Sequence, residues 1–281
     1  MASLTPLRRT LAAALLSATA ACGGAGQVDL QALSSASDKI VWDAGQKALG
    51  KKDYDAARQY FRRIIDGFPN STYQPASRLA LADTYMQQGG TGSYVLAVAE
   101  YRDFLTLFPS DPKADYAQFQ AAEAYFRQRN RSDRDQTQTL QALEEYQRLL
   151  DLYAQSSYVE TARERIRACR QPLARHEFQV GFFYQRTRQA YRAAIARYQG
   201  LLTEYPDYER VDEVLYRLAE CLAAAGRTGE ALPVLDRLLK EFPSSEYVDE
   251  ARKLEGSLPP MPPPAVETPK PPSPAPQGAQ P

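Results

Sequence analysis

The chain has 281 residues, 44 % of them hydrophobic and 24 % charged, with 34 basic and 34 acidic side chains. A formal charge of zero leaves no electrostatic footprint for nucleic acid. One histidine and three cysteines (Cys22, Cys169 and Cys221), with no zinc spacing, no glycine-rich phosphate loop and no Ser/His or Cys/His arrangement, give no catalytic residue, metal site or cofactor to expect.

Residues 1–21 read as a signal peptide: Arg8 and Arg9 precede an apolar run from Leu11 to Leu16 and then small residues. The run is shorter than the roughly 20 apolar residues of a membrane span. Removing it leaves 32 basic against 34 acidic residues. Thr19-Ala20-Ala21 before Cys22 resembles a bacterial lipobox, which implies a covalent lipid on Cys22 that holds the protein on a membrane. The other reading is an ordinary Ala-x-Ala signal with an incidental cysteine. Gly23 at the next position resembles lipoproteins sent to the outer membrane. The small and polar residues from Gly23 to Ser37 complete a flexible tether over 22–37, at most about 50 Å long.

From residue 38 to 256 the chain repeats one phrase. A small residue, a large one four positions on and a proline at the twelfth recur as Ala57/Phe61/Pro69, Ala97/Tyr101/Pro109, Ala142/Tyr146/Ala154, Ala194/Tyr198/Pro206 and Ala231/Leu235/Pro243. The small side chain lets two helices approach, the large one fills their seam, and the proline stops the second helix. First helices are predicted over Asp38–Leu49, Pro75–Gln88, Ala114–Gln128, Arg175–Arg186 and Val211–Ala225. Gly45, Ala82 with Tyr85, Ala122 with Tyr125, and Ala219 are pieces of the tetratricopeptide signature. The predicted fold is all-α, a solenoid of about five such pairs.

The twelfth positions are 40, 45, 52 and 37 residues apart rather than 34, so the excess marks insertions. "GGTGSY" at 89–94 lengthens a turn. "RQRNRSDRDQTQT" at 127–139 is charged and aperiodic, predicting a solvated loop. "YVETARERIRACRQPLA" at 158–174 is a helical extension in which Pro172 predicts a kink or break at Gln171. Cys169 and Cys221 fall in helical patterns as small hydrophobes, or as a disulfide if their Cα atoms meet. Glu144-Glu145 reads as surface charge. Residues 257–281 form a Pro-rich tail, predicted disordered and polyproline-like; it is either a spacer or a ligand for a partner.

In a tetratricopeptide array the first helices line a concave face that receives an extended peptide. The register places Trp42, Gln46, Leu49, Leu79, Asp83, Met86, Tyr116, Phe119, Glu123 and Phe126 there. Aromatic residues give contact area at low entropy cost. Packing against the neighbouring repeat is the competing role for several of them.

The lipobox-like cysteine, the five repeats, the insertion Arg131-Ser132-Asp133-Arg134-Asp135 and the segment "YVETARERIRACRQPLARHEFQVGFFYQR" resemble the BamD family, lipoproteins of the bacterial outer-membrane β-barrel assembly machinery. The likeness runs from Cys22 to Gly256 and is most specific over 131–206. It implies a non-enzymatic scaffold lipid-anchored to the outer membrane and facing the periplasm. Repeats one to three would take the targeting signal of unfolded β-barrel clients. The C-terminal repeats would contact a POTRA domain of a BamA-like barrel-forming subunit, and other lipoproteins of that complex stay open as partners. Arg197 in "AIARYQ" matches a family arginine at the subunit contact; the alternative is a solvated helix charge. The alternative is another periplasmic tetratricopeptide lipoprotein coordinating envelope or peptidoglycan machinery, which the tail fits and the segment 131–206 argues against.

Overall fold

The computed structural model describes residues 36–259. The signal peptide, Cys22 and almost all of the tether lie outside the described residues, as does the tail from residue 260. The described residues form eleven helices and no strand: α1 Asp38–Gly50, α2 Tyr54–Gly67, α3 Gln74–Gln88, α4 Thr91–Leu107, α5 Ala114–Phe126, α6 Thr137–Leu152, α7 Val159–Arg186, α8 Tyr191–Glu204, α9 Val211–Ala224, α10 Thr228–Glu241 and α11 Val248–Ser257. They fall into two compact units, one ending at Gln88 and one beginning at Gly89.

In the first unit, the side chain of Asp53 accepts from the Ala56 amide at 3.2 Å and caps α2. The apolar stripe of α2 buries Ala57, Phe61 and Ile64. A Cβ at Gly45 would lie 2.6 Å from the Phe61 ring, so glycine lets α1 settle onto that ring. In the second unit each helix from α4 to α11 packs on the next.

The repeated phrase does what its spacing predicts. Ala57, Ala97, Ala142, Ala194 and Ala231 are fully buried, as are Phe61, Tyr101, Tyr146, Tyr198 and Leu235. The stop works differently from the sequence reading. The aromatic residue before each proline position leaves the helix at φ near −130°, for Phe68, Phe108, Tyr153, Tyr205 and Phe242 alike. Its amide still bonds the carbonyl four residues back, as Tyr153 does to Leu149 at 2.9 Å. The third copy, with Ala154 in place of proline, therefore ends at the same point.

Each insertion is more ordered than its composition suggests. Gly89 and Gly90 turn the chain at φ +75° and +86°, and the rest of the "GGTGSY" stretch extends α4. The loop after α5 is folded on itself: Gln136 is buried and its Nε2 donates to the carbonyls of Arg131 and Arg134 at 2.7 and 2.9 Å. His176 Nδ1 meets the Ser132 carbonyl at 2.7 Å, pinning the loop to α7.

The break predicted near Pro172 does not occur. α7 runs unbroken through it for 28 residues, about 42 Å. Proline removes the amide that would bond the carbonyl of Ala168; Arg129 Nη1 reaches that carbonyl instead, at 3.4 Å. Packing holds the helix on both sides. Ala162, Ile166 and Cys169 join the α5–α6 core, whereas Leu173, Ala174 and Phe178 join the α8–α10 core. The fourth first helix is thus the second half of α7. The sequence reading missed α11, which buries Ala251 and leaves Asp249, Glu250, Arg252 and Lys253 exposed, a polar cap on the last repeat.

Candidate peptide- and partner-binding faces

In the first unit, the Trp42 indole stacks on Tyr73 with centroids 5.4 Å apart and tilts against Phe61 at 5.5 Å. Trp42, Leu49 and Asp83 are half-buried and Gln46 is exposed. Leu79 and Met86 are each 4 % exposed and cannot offer contact area. Their register positions on α3 turn toward the core rather than toward a groove.

In the second unit, Tyr116 lies edge-on to Tyr101 at 6.5 Å. Phe119 is buried because Tyr158, from the turn after α6, stacks on it at 4.6 Å. Glu123 is buried as well, accepting from the Tyr146 hydroxyl at 2.5 Å and from Arg165 Nε at 2.7 Å. Burial and this carboxylate push the Tyr146 phenol well above its ordinary pKa. Half-buried Phe126 is held between the guanidinium groups of Arg129 and Arg165, 3.2 and 4.6 Å from its ring centre. Of the ten candidates, Leu79, Met86, Phe119 and Glu123 therefore build the fold, while Trp42, Gln46, Leu49, Asp83, Tyr116 and Phe126 keep accessible surface.

Glu145 corrects the surface-charge reading. It is 2 % exposed, bonded to Arg102, to Arg148 Nη1 at 2.9 Å and to Gln118 Nε2 at 2.7 Å, whereas Glu144 is exposed. Arg197 on α8 is exposed, and its Nη1 donates to Glu177 of α7 at 2.9 Å. Cys169 and Cys221 are both buried free thiols. Burial pushes their pKa values up, to about 11 and about 12.

Sequence reasoning also missed a joint between repeats that supports the accessible faces. Ser71, Ser156 and Ser245 donate to Asp38, Asp115 and Asp212, the carboxylates that open α1, α5 and α9, at 2.6, 2.6 and 2.5 Å. The tyrosine two residues after each serine stacks on the aromatic residue four after each aspartate: Tyr73 on Trp42, Tyr158 on Phe119 and Tyr247 on Tyr216. The recurring Ser-x-Tyr and Asp-x-x-x-aromatic spacings were the available signal.

Antiparallel helix pairs with a small-residue seam and an aromatic stop define a tetratricopeptide-repeat protein, and the tetratricopeptide profile matches residues 212–253. No described helix is long and apolar enough to cross a membrane. The chain belongs to the YfiO (BamD) family of outer membrane lipoproteins, whose profile matches residues 34–232. It is 29 % identical over 247 residues to outer membrane protein assembly factor BamD of Caulobacter vibrioides, covering 87 % of this chain and 80 % of that one. The factor of the same name from Haemophilus influenzae is 27 % identical over 237 residues, covering 80 % and 88 %. That of Neisseria meningitidis serogroup A is 25 % identical over 246 residues, covering 83 % and 91 %.

Proposed function

We propose that this protein is a non-enzymatic assembly factor for outer-membrane β-barrel proteins, held at the periplasmic face by a lipid on Cys22. The family match over residues 34–232 carries this reading, and the name borne by the relatives supports it. The mechanism is positional: the scaffold holds an extended client signal and presents it to a BamA-like subunit, and no bond is made or broken. Trp42 and Leu49 on α1 and Tyr116 and Phe126 on α5 are the side chains that supply accessible aromatic and apolar surface for the client, and Gln46 adds a hydrogen-bonding amide. Arg197 is the contact for a POTRA domain; its guanidinium is exposed and its pairing with Glu177 sets its direction.

The test is affinity purification of the tagged full-length protein from detergent-solubilised envelopes, with mass spectrometry of what accompanies it. A stoichiometric barrel protein with POTRA domains, lost on Arg197→Glu, supports the assembly role. Peptidoglycan-associated partners in its place would transfer the function to a different envelope scaffold. Separately, Trp42→Ala and Phe126→Ala are expected to weaken binding of a client C-terminal peptide, and unchanged affinity in folded variants would sink the assignment of these faces.

A further inference from the structure

The α6–α7 pair carries a groove of about 660 Å³. Leu143, Leu152 and Ile166 supply its apolar surface, and Leu152 is 64 % exposed. The repeat itself shows that the fold does not require leucine there. Ten residues after the small seam residue, the equivalents of Leu152 are Gly67, Leu107, Glu204 and Glu241. Two copies place glutamate at this position, as a solvent-facing site permits, so an exposed leucine beside other apolar side chains marks a contact surface.

Charge around the groove is unbalanced. Glu144, Glu145, Asp151 and Asp207 outnumber Arg102, Arg148 and Arg170 by one: Arg148 shares Glu145, at 2.9 Å, with Arg102, and Arg170 pairs with Asp207 at 2.7 Å. Arg102, which feels Glu144 at longer range, is bonded to Glu145. Glu144 and Asp151 themselves accept hydrogen bonds from the side-chain amides of Gln141 and Gln147, at 3.2 and 3.0 Å, and neither forms an ion pair among the described residues. Both are exposed, and they stand seven residues apart on one helix, so both carboxylates flank the same apolar strip.

We propose that the α6–α7 groove docks an amphipathic helix of a partner protein. Its leucine-like side chains enter against Leu143, Leu152 and Ile166, and its Lys or Arg residues, two turns apart, meet Glu144 and Asp151. This is the helix-in-groove mode, with apolar anchors for affinity and charge for register. The inference stands apart from the assembly role, because it uses neither Arg197 nor the faces assigned to the client.

The experiment titrates the full chain, in detergent, into a fluorescent helical peptide of about 14 residues, with leucines at helical spacing and lysines about seven residues apart. A twin peptide carries glutamate for lysine. Fluorescence anisotropy is expected to show the lysine peptide binding about tenfold more tightly than its twin, the ratio two exposed ion pairs supply. Leu152→Glu abolishes that binding, and Glu144→Lys with Asp151→Lys reverses the preference. Leu96→Glu, at another exposed leucine, leaves it unchanged. Glutamate at the equivalent positions 204 and 241 makes Leu152→Glu compatible with folding, which a thermal melt checks. Absence of binding, equal binding of the two peptides, or equal effects of Leu152→Glu and Leu96→Glu would overturn the proposal. So would self-association of the wild type in sedimentation that Leu152→Glu removes, which would give the groove to a second copy.

Discussion

Ser156 donates its hydroxyl proton to Asp115 at 2.6 Å across 41 residues of sequence, tying the turn after α6 to the first residues of α5. The same oxygen accepts the Tyr158 amide at 3.1 Å, which sets that ring for its stack on Phe119. One hydroxyl thus fixes both a turn and an aromatic contact. Ser156→Ala is expected to cost about 1.5–3 kcal/mol, the usual contribution of a hydrogen bond to a charged group. Chemical denaturation measures it. Ser156→Ala and Asp115→Ala should couple by roughly 1 kcal/mol in a double-mutant cycle, whereas strict additivity would show that the pair contributes nothing.

Pro172 sits inside α7, and Arg129 occupies the carbonyl that proline leaves without its helical donor. Pro172→Ala restores the amide and removes the ring, so it is expected to stabilise the protein by about 1–3 kcal/mol. Arg129→Ala should destabilise the wild type more than the Pro172→Ala variant, because only the former depends on the guanidinium at Ala168. Paired thermal melts in the two backgrounds read the difference. Equal losses would mean that Arg129 acts through Phe126 alone.

These two sites show what the sequence could and could not disclose. The seam alanines and their aromatic partners were readable because they recur at fixed spacing and their role depends on size alone. Pro172 misled because the rule for proline concerns a helix on its own, while here two cores clamp α7 on either side of it. Glu123, Glu145 and Phe119 misled for a related reason. A carboxylate or a ring reads as surface until a partner from a distant helix is known, and Tyr146, Arg102 and Tyr158 come from other elements. The final helix was announced by "SSEYVDEAR", an echo of "SSYVETAR" at the start of α7, but it was hidden because the seam phrase that marks each repeat does not follow it. The accessible parts of the faces followed from register; their boundaries needed burial.

The thiols make a pH prediction with a definite sign. Burial raises Cys169 to about 11 and Cys221 to about 12, above the unfolded value near 8.5. A raised acid favours the neutral form in the fold, so its contribution is complete below the unfolded pKa and is lost as pH rises through the folded values. Stability is therefore expected to fall between about pH 8.5 and 12. Ellman's reagent at pH 8 should leave both thiols unmodified in the native protein and titrate both in denaturant. Rapid native labelling at either residue would contradict their burial.

Gly181 and Gly200 predict opposite signs for the same substitution. A Cβ at Gly181 would lie 2.7 Å from the Tyr198 ring. That ring is fully buried and its hydroxyl donates to Gln185 at 2.9 Å, so it cannot yield without losing a bond. Overpacking costs about 1–3 kcal/mol, while alanine in place of glycine returns up to about 1 kcal/mol of helix propensity. Gly181→Ala should thus destabilise by up to about 2 kcal/mol net. At Gly200, within α8, a Cβ meets nothing within 4 Å. Only the propensity gain remains, so Gly200→Ala should stabilise by about 0.5–1 kcal/mol. Urea unfolding of the two variants beside the wild type checks both. Stabilisation by Gly181→Ala would mean that the α7–α8 seam can open, and the close approach of these helices would then not be what glycine provides.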